Sequence, residues 1–414
     1  MTFTYASITA YPIYLPTRAE ITTEKGSPWS SPCPSIFPER FSLKVEAEHI
    51  MGALLTAWMV LGALYYLLIL AFWVGLHRLK AGSSIEKPSI TVVIAARNES
   101  ETIDACLSAL AAQDYPADRM EVVVVDDRSS DDTVARACRW VGRLPSLRVL
   151  SVARAYHLCP KKNALEVGIR AGTGELILTT DADCRPPPGW IDATASAFEP
   201  DVGMVLGHAP LVPKSGVIQA LLALQALVVS ALGAGSAGVG FPLTCSGRNL
   251  GYRRSAFYQA GGFEEIGDVP GGDDVLLMRK IASKTAWKVR FNASPGVPSS
   301  PHADRLLRRQ LRYQSKSLHY GVPALLMALP VYIFHVALAF GPFFVVRFPE
   351  FWAVLGSLVV GKVLTDGLLL WTAASRFKSR RSMVWFPVLE FISVPYIVFF
   401  SGLGALRTSR WESP

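Results

Sequence analysis

The chain has 414 residues, 50% of them hydrophobic against 18% charged, and a formal net charge of +8. That length admits one large domain or two ordinary ones at roughly 100–200 residues each, and so large an apolar excess excludes a wholly soluble protein. The basic residues gather beside apolar runs, with no aromatic-interleaved basic groove or zinc-ligand spacing, which excludes nucleic acid as the partner.

Residues 1–50 are rich in Pro, Ser and Thr and show no periodicity, so no packed structure is expected of them. They do not form a secretory signal, because the apolar run that follows starts too late and is too long. Met51 opens that run, which makes an over-translated N-terminus an alternative reading. Residues 51–76 carry no charge and exceed the roughly 20 apolar residues that a spanning helix needs.

Between that span and the later apolar runs, a soluble-looking region at about 88–304 alternates strand and helix. SITVVIAA reads as a buried strand, followed by Arg97-Asn98-Glu99 and a helix over 100–112. MEVVVVDD is a second strand ending in Asp126-Asp127, with a helix over 132–141 stopped by Gly142. LRVLSV is a third strand, residues 162–171 a third helix, and ELILTTDAD a fourth strand. Such alternation predicts an α/β fold with a parallel sheet, right-handed crossovers and helices on both faces. No G-x-G-x-x-G follows the first strand, which argues against a dinucleotide cofactor.

Residues 216–233 approach a span in hydropathy. A crossing there would put the acids before and after it on opposite sides of the membrane, so this run is expected to lie in the interface without spanning. Three further candidates follow at 322–346, 351–374 and 384–406, the second containing Lys362 and Asp366 and the third Glu390. Charges in such helices are expected to face a bundle interior or a wet surface.

One span before the soluble region and three after it place three basic groups on one side. These are His77, Arg78 and Lys80; Arg305, Arg308, Arg309, Arg312 and Lys316; and Arg376, Lys378, Arg380 and Arg381. Positive charge marks the cytoplasmic side, with Arg347, Arg407 and Arg410 as exceptions. The chain therefore reads as an integral protein of the plasma (inner) membrane with residues 88–304 in the cytoplasm. The six cysteines form no C-x-x-C pair and read as reduced thiols used in packing. His157, His208, His302 and His319 lack ligand-spaced partners and read as structural or surface residues.

Carboxylates recur where strands end: Asp126-Asp127, Asp181 and Asp183, and, further on, Asp273-Asp274 in VPGGDDVLLMRK. In an open α/β sheet ligands bind beyond the carboxyl ends of the strands. Two acids one residue apart suit a hard divalent cation that also holds a substrate phosphate. These residues point to Mg²⁺ or Mn²⁺ at Asp181 and Asp183 and to chemistry on a diphosphate.

Five stretches in order (VVIAARNE, VVVVDDRSSDDT, PKKNALEVGI, TTDADC, and GGDD before a basic helix) resemble the family-2 inverting glycosyltransferases over about 88–320. The resemblance implies a Rossmann-like GT-A domain and a nucleotide-diphosphate sugar as donor. It implies that Asp126 contacts the nucleobase, with Glu99, Asp127 and Lys161 or Lys162 beside the nucleotide. Asp181 and Asp183 become metal and diphosphate ligands, and of Asp273 and Asp274 the second becomes the general base. An inverting transfer needs one carboxylate to take the acceptor's proton and no covalent nucleophile.

The sequence departs from that family in two places, one of them the pair before Val275, which is Asp-Asp rather than the commoner Glu-Asp. Where many membrane-bound members carry Gln-x-x-Arg-Trp, this chain has Arg309-Gln310-Leu311-Arg312-Tyr313. Arg312 matches the family's Arg, Arg309 takes the Gln position and Tyr313 the Trp position. That change, with three spans after the domain, favours transfer of a single sugar to a membrane-associated, lipid acceptor. A small processive polysaccharide synthase and an inactive membrane scaffold are the alternatives. The basic stripe at 305–316 serves either to clamp diphosphate or to contact the bilayer surface, and Ser246-Gly247-Arg248-Asn249 resembles the family's acceptor-side loop.

Overall fold

The computed structural model describes residues 37–144, 146–152, 158–293, 295–301, 310 and 317–406. The chain divides into two units between Ala53 and Leu54. Helix α1 (Phe37–Arg78) begins in the first of them. The segment 37–50, expected to lack structure, is therefore helical. Its Glu, Arg, Leu, Lys and Ala are good helix formers, and extending a helix is far easier than nucleating one.

Seven strands form one sheet: β1 (Ile90–Ala96), β2 (Met120–Asp126), β3 (Leu147–Ser151), β4 (Leu176–Thr179), β5 (Val202–Gly207), β6 (Leu250–Arg253) and β7 (Lys288–Asn292). Their order is β3-β2-β1-β4-β6-β5-β7. The first four strands are parallel, as expected. β5 and β7 are also parallel. β6 runs antiparallel to both β4 and β5, so the sheet is mixed rather than wholly parallel. The reversal has a positional consequence. It brings the loop that precedes β6, Ser246–Asn249, to the edge where β4 ends.

The strands are Val- and Ile-rich because both faces are covered. On one face Val92, Ile94, Val122 and Val124 share a core with Ile103 and Leu107 of α2 (Ile103–Ala111). On the other, Val93 and Ile177 pack with Leu165 and Ile169 of α4 (Pro160–Ala171). α4 lies so close to β1 that a Cβ on Gly168 would meet Val93 Cγ1 at 2.4 Å. Helix α3 (Thr133–Cys138) is shorter than its periodicity predicts, and the chain turns at Gly142 with φ +83°. α5 (Trp190–Ala195), α7 (Arg254–Gln259) and α8 (Val275–Lys284) complete the soluble part.

Among the described residues five helices are long and apolar enough to cross a membrane. They are α1, α6 (Val217–Gly238), α9 (Val322–Arg347), α10 (Trp352–Arg376) and α11 (Phe386–Leu406). Four of them fall where hydropathy predicts spans, and α6 covers the run expected to stay in the interface. α1 and α6 touch backbone to backbone: a Cβ on Gly75 would lie 2.0 Å from the Gly235 carbonyl oxygen, and one on Gly238 would lie 2.1 Å from that of Gly75. The same core that holds Val93 and Ile177 takes in Ile69 and Phe72 of α1 and Leu224, Leu227 and Ala231 of α6.

Charges inside the apolar helices meet one another, as expected. Lys362, 3% exposed, donates to Asp366 at 2.9 Å, to Ser393 Oγ at 3.1 Å and to Glu390. The Tyr65 hydroxyl of α1 donates to Asp366 at 2.8 Å.

Candidate active site

Glu99, Asp127, Asp181 and Asp183 follow the ends of β1, β2 and β4, whereas Asp273 and Asp274, expected at a strand end, lie in the loop that opens α8. After β1, Asn98 adopts φ +55° and ties two loops together, its N–H donating to Ser129 Oγ at 2.9 Å and its Oδ1 accepting from Ser130 N at 2.8 Å. Glu99 follows, with Oε2 accepting from the Thr102 hydroxyl at 2.7 Å. After β2, Asp127 is buried and paired with Arg128 at 2.9 Å and Arg97 at 3.7 Å. After β4 come Asp181 and Asp183. Gly271 and Gly272, with φ +72° and +73°, turn the chain so that Asp273 and Asp274 face the same space.

Lys161, one residue into α4, joins these groups. Its ammonium lies 2.7 Å from Asp181 and 3.3 Å from Asp273. Enclosure by the protein works against the charge, yet Asp181 and Asp273 outweigh it and hold the lysine well above its ordinary range. Asp274 caps α8, with Oδ1 accepting from Val275 N at 2.7 Å and Oδ2 from Gly247 N at 3.1 Å. Behind the acids lie Cys106 and Cys184, whose thiols are pushed up by burial first and by Asp181 and Asp183 next. Both therefore stay protonated and serve as packing.

The result is a cavity of about 780 Å³, lined among the described residues by six carboxylates (Glu99, Asp127, Asp181, Asp183, Asp273, Asp274) and three cations (Arg97, Lys161, Arg248). Among the described residues no group of three or more His, Cys, Asp or Glu forms a metal cage. A hard cation held by one or two carboxylates and completed by phosphate and water could be taken up by carboxylates of this wall, Asp181 and Asp183 among them.

The structure brings Glu99, Asp127, Lys161, Asp181, Asp183, Asp273 and Asp274 to one cavity. Asp126 and Lys162 are placed differently. The Asp126 carboxylate accepts from Ser129 N at 3.2 Å and is not on the cavity wall, which Asp127 occupies instead. Lys162 is buried, donating to the carbonyls of Val269 at 2.6 Å and Ile266, and so braces the loop that leads to Asp273. Arg312 lies outside the described residues, as do the basic residues around it. Arg97 reaches the wall although the sequence singled out only its neighbour Glu99; its one signal is its place directly after an apolar strand. The Arg248 guanidinium donates to Ala209 O at 2.7 Å and Ser299 Oγ at 2.8 Å, anchoring the loop before β6. His208 is structural, as expected. It bonds Ser230 at 2.9 Å, stacks on Phe377 at 4.6 Å, and is lowered to about 3 by burial first and Arg248 second.

Acids that follow parallel strands thus gather at one cavity of a mixed α/β sheet. Residues 91–259 match the model of Glycosyl transferase family 2 and form a domain of that family. An N-acetylglucosaminyltransferase of Sinorhizobium fredii is 28% identical over 239 residues, which is 55% of this chain and 56% of that protein. The beta-monoglucosyldiacylglycerol synthase of Synechocystis sp. is 32% identical over 105 residues, 25% of this chain and 22% of that one. The chain thus spans well under two thirds of either relative. Among solved structures, the mannosyltransferase PcManGT of Pyrobaculum calidifontis, in complex with GDP-Man and Mn²⁺, shares the fold with a TM-score of 0.52 at 20% identity, covering 82% of this chain and 99% of that one.

Proposed function

We propose that this chain is a membrane-anchored enzyme that transfers a sugar from a nucleotide-diphosphate sugar to a lipid acceptor, with inversion at the sugar carbon. One observation carries the reading: Asp274 faces both the acidic cavity and a second chamber beside the membrane-level helices. It stands where donor and acceptor would meet.

The acceptor hydroxyl gives its proton to the Asp274 carboxylate as its oxygen bonds to the sugar's anomeric carbon. The bond from that carbon to the diphosphate breaks on the opposite face, and the electron pair leaves with the nucleoside diphosphate. Lys161 keeps Asp181 and Asp273 from repelling each other and faces the departing phosphates. Mg²⁺ or Mn²⁺ at Asp181 and Asp183 supplies, when bound, charge to offset that growing on the leaving group. Glu99 and Asp127 line the nucleotide end, and Asp126 supports the loop there. The name of the Synechocystis relative, a monoglucosyldiacylglycerol synthase, supports a lipid acceptor.

Asp183→Asn tests the metal assignment. It should abolish both transfer and donor hydrolysis in the purified protein with either cation, while expression and membrane insertion stay as in the wild type. A near-normal rate would remove Asp183 from the metal site.

The reading also requires residues 88–320 to lie on one side of the membrane, the cytoplasmic face of the plasma (inner) membrane. Support comes from the sheet. β5 and β6 are hydrogen-bonded neighbours on either side of α6 in the sequence, so α6 lies in the interface without crossing. With native cysteines replaced, Lys214→Cys and Pro242→Cys should report the same side to an impermeant thiol reagent. Labelling from opposite sides would end the glycosyltransferase reading.

A further inference from the structure

Beyond Asp274, away from the donor cavity, lies a chamber of about 300 Å³. The two spaces share Ser246, Arg248 and Asp274, so they are contiguous at the proposed base. The chamber's walls come from α6, α8 and α11, together with Gln310 and Tyr320. Most of its surface is apolar, from Leu211, Leu222, Ala226, Val229 and Val275. Three neutral polar side chains of its lining are bonded to one another. The Gln225 amide donates to Gln310 Oε1 at 3.2 Å and to the Tyr396 hydroxyl at 3.2 Å, Gln310 donates back to Gln225 Oε1 at 3.0 Å, and Tyr396 donates to Gln310 Oε1 at 2.7 Å.

We infer that this chamber is the acceptor pocket, that it opens to the bilayer between α6 and α11, and that it takes the uncharged, hydroxyl-bearing head of a lipid, read by Gln225, Gln310 and Tyr396. The inference rests on the glycosyltransferase reading and specifies its acceptor. Three observations carry it. Asp274 is the one carboxylate among the described residues that lines both spaces, so a hydroxyl seated here reaches the base directly. The apolar segment Arg380–Leu403, which supplies Tyr396, is only 6% buried, leaving its surface open to acyl chains. Besides Arg248 and Asp274, the polar lining among the described residues consists of amides, phenols and hydroxyls, which exchange hydrogen bonds with hydroxyls in either direction.

Charge at the described residues disfavours a phosphorylated head. Asp274 repels an anion, and Arg248, the one cation among the described residues of the chamber, already donates to Ser246 Oγ at 3.3 Å, Ser299 Oγ at 2.8 Å and Ala209 O at 2.7 Å. The three bonded side chains hold their geometry before the acceptor arrives, so little ordering accompanies binding.

The test uses the full-length protein in phosphatidylcholine nanodiscs and a diacylglycerol carrying a diazirine on one acyl chain. Irradiation should label peptides of α6 and α11. Tyr396→Trp, which fills the chamber, should abolish that labelling, and excess dioctanoylglycerol should compete it away where a polyprenyl phosphate does not. Labelling needs no turnover, so it survives Asp274→Asn and is independent of the catalytic assignment. With donor present, Gln225→Leu and Tyr396→Phe should each raise the KM for dioctanoylglycerol roughly 3- to 10-fold, the loss of one hydrogen bond, while calorimetric affinity for the nucleoside diphosphate stays constant. Labelling elsewhere, unchanged KM values, or competition by polyprenyl phosphate alone would overturn the inference while leaving an active transferase intact. Correct labelling without any donor turnover would instead sink the transferase reading and spare the lipid pocket.

Discussion

Asp274→Asn should lower turnover by about 10²- to 10⁴-fold, the span that a positioned general base contributes, with little change in affinity for the nucleoside diphosphate. The substitution keeps the fold because Asn caps a helix about as well as Asp and still offers oxygen to Val275 N or Gly247 N, the two donors that orient the carboxylate. What it removes is the ability to accept a full proton, an event of the transition state rather than of donor binding. Single-turnover transfer assays beside calorimetry separate the two effects. If nucleotide binding collapsed together with the rate, the base would have to be Asp273, which is already engaged by Lys161 at 3.3 Å.

Lys362→Met should cost about 3–5 kcal/mol of stability, the usual result of stripping one partner from a buried ion pair. Lys362 holds Asp366 of its own helix and Glu390 of α11, and Tyr65 of α1 donates to the same Asp366. Without the ammonium, two carboxylates remain together among apolar helices, with the Tyr65 hydroxyl donating to Asp366. In detergent the apparent melting midpoint should fall by roughly 5–15 °C. The triple variant Lys362→Met, Asp366→Asn, Glu390→Gln should recover most of that loss, since no uncompensated charge is left. A triple variant as unstable as the single one would show that shape, not charge, ties the three helices together.

Much of this was legible because the signals were local. Unbroken runs such as ITVVIAA and MEVVVVD could only be strands covered on both faces, and their helical spacers fixed the parallel half of the sheet. Acids directly after such runs, Asp127, Asp181 and Asp183, had to emerge at one edge. The direction of β6 was not legible, because LGYR has no periodicity that distinguishes a forward from a reversed strand. Which of Asp126 and Asp127 lines the cavity wall was hidden for a similar reason: a strand's alternation sends adjacent residues to opposite faces, and the last residue before a turn can follow either. Lys161 and Lys162 posed the same problem on a helix, where adjacent positions diverge by about 100°, the turn that 3.6 residues per turn implies. The chamber holding Gln225, Gln310 and Tyr396 joins residues 85, 86 and 171 positions apart, and no pattern along the chain announces such a meeting.

The glycine contacts between α1 and α6 set a limit on how this enzyme can be handled. With the Gly75 carbonyl within reach of any Cβ on Gly238, and Phe72, Leu224 and Leu227 packed into the core that also holds Val93 beneath the sheet, the anchor doubles as the floor of the catalytic fold. A water-soluble fragment cut free of the first helix would bare that floor and trade a lipid-facing protein for an aggregating one. Purification, screening and crystallisation must therefore carry the anchor along.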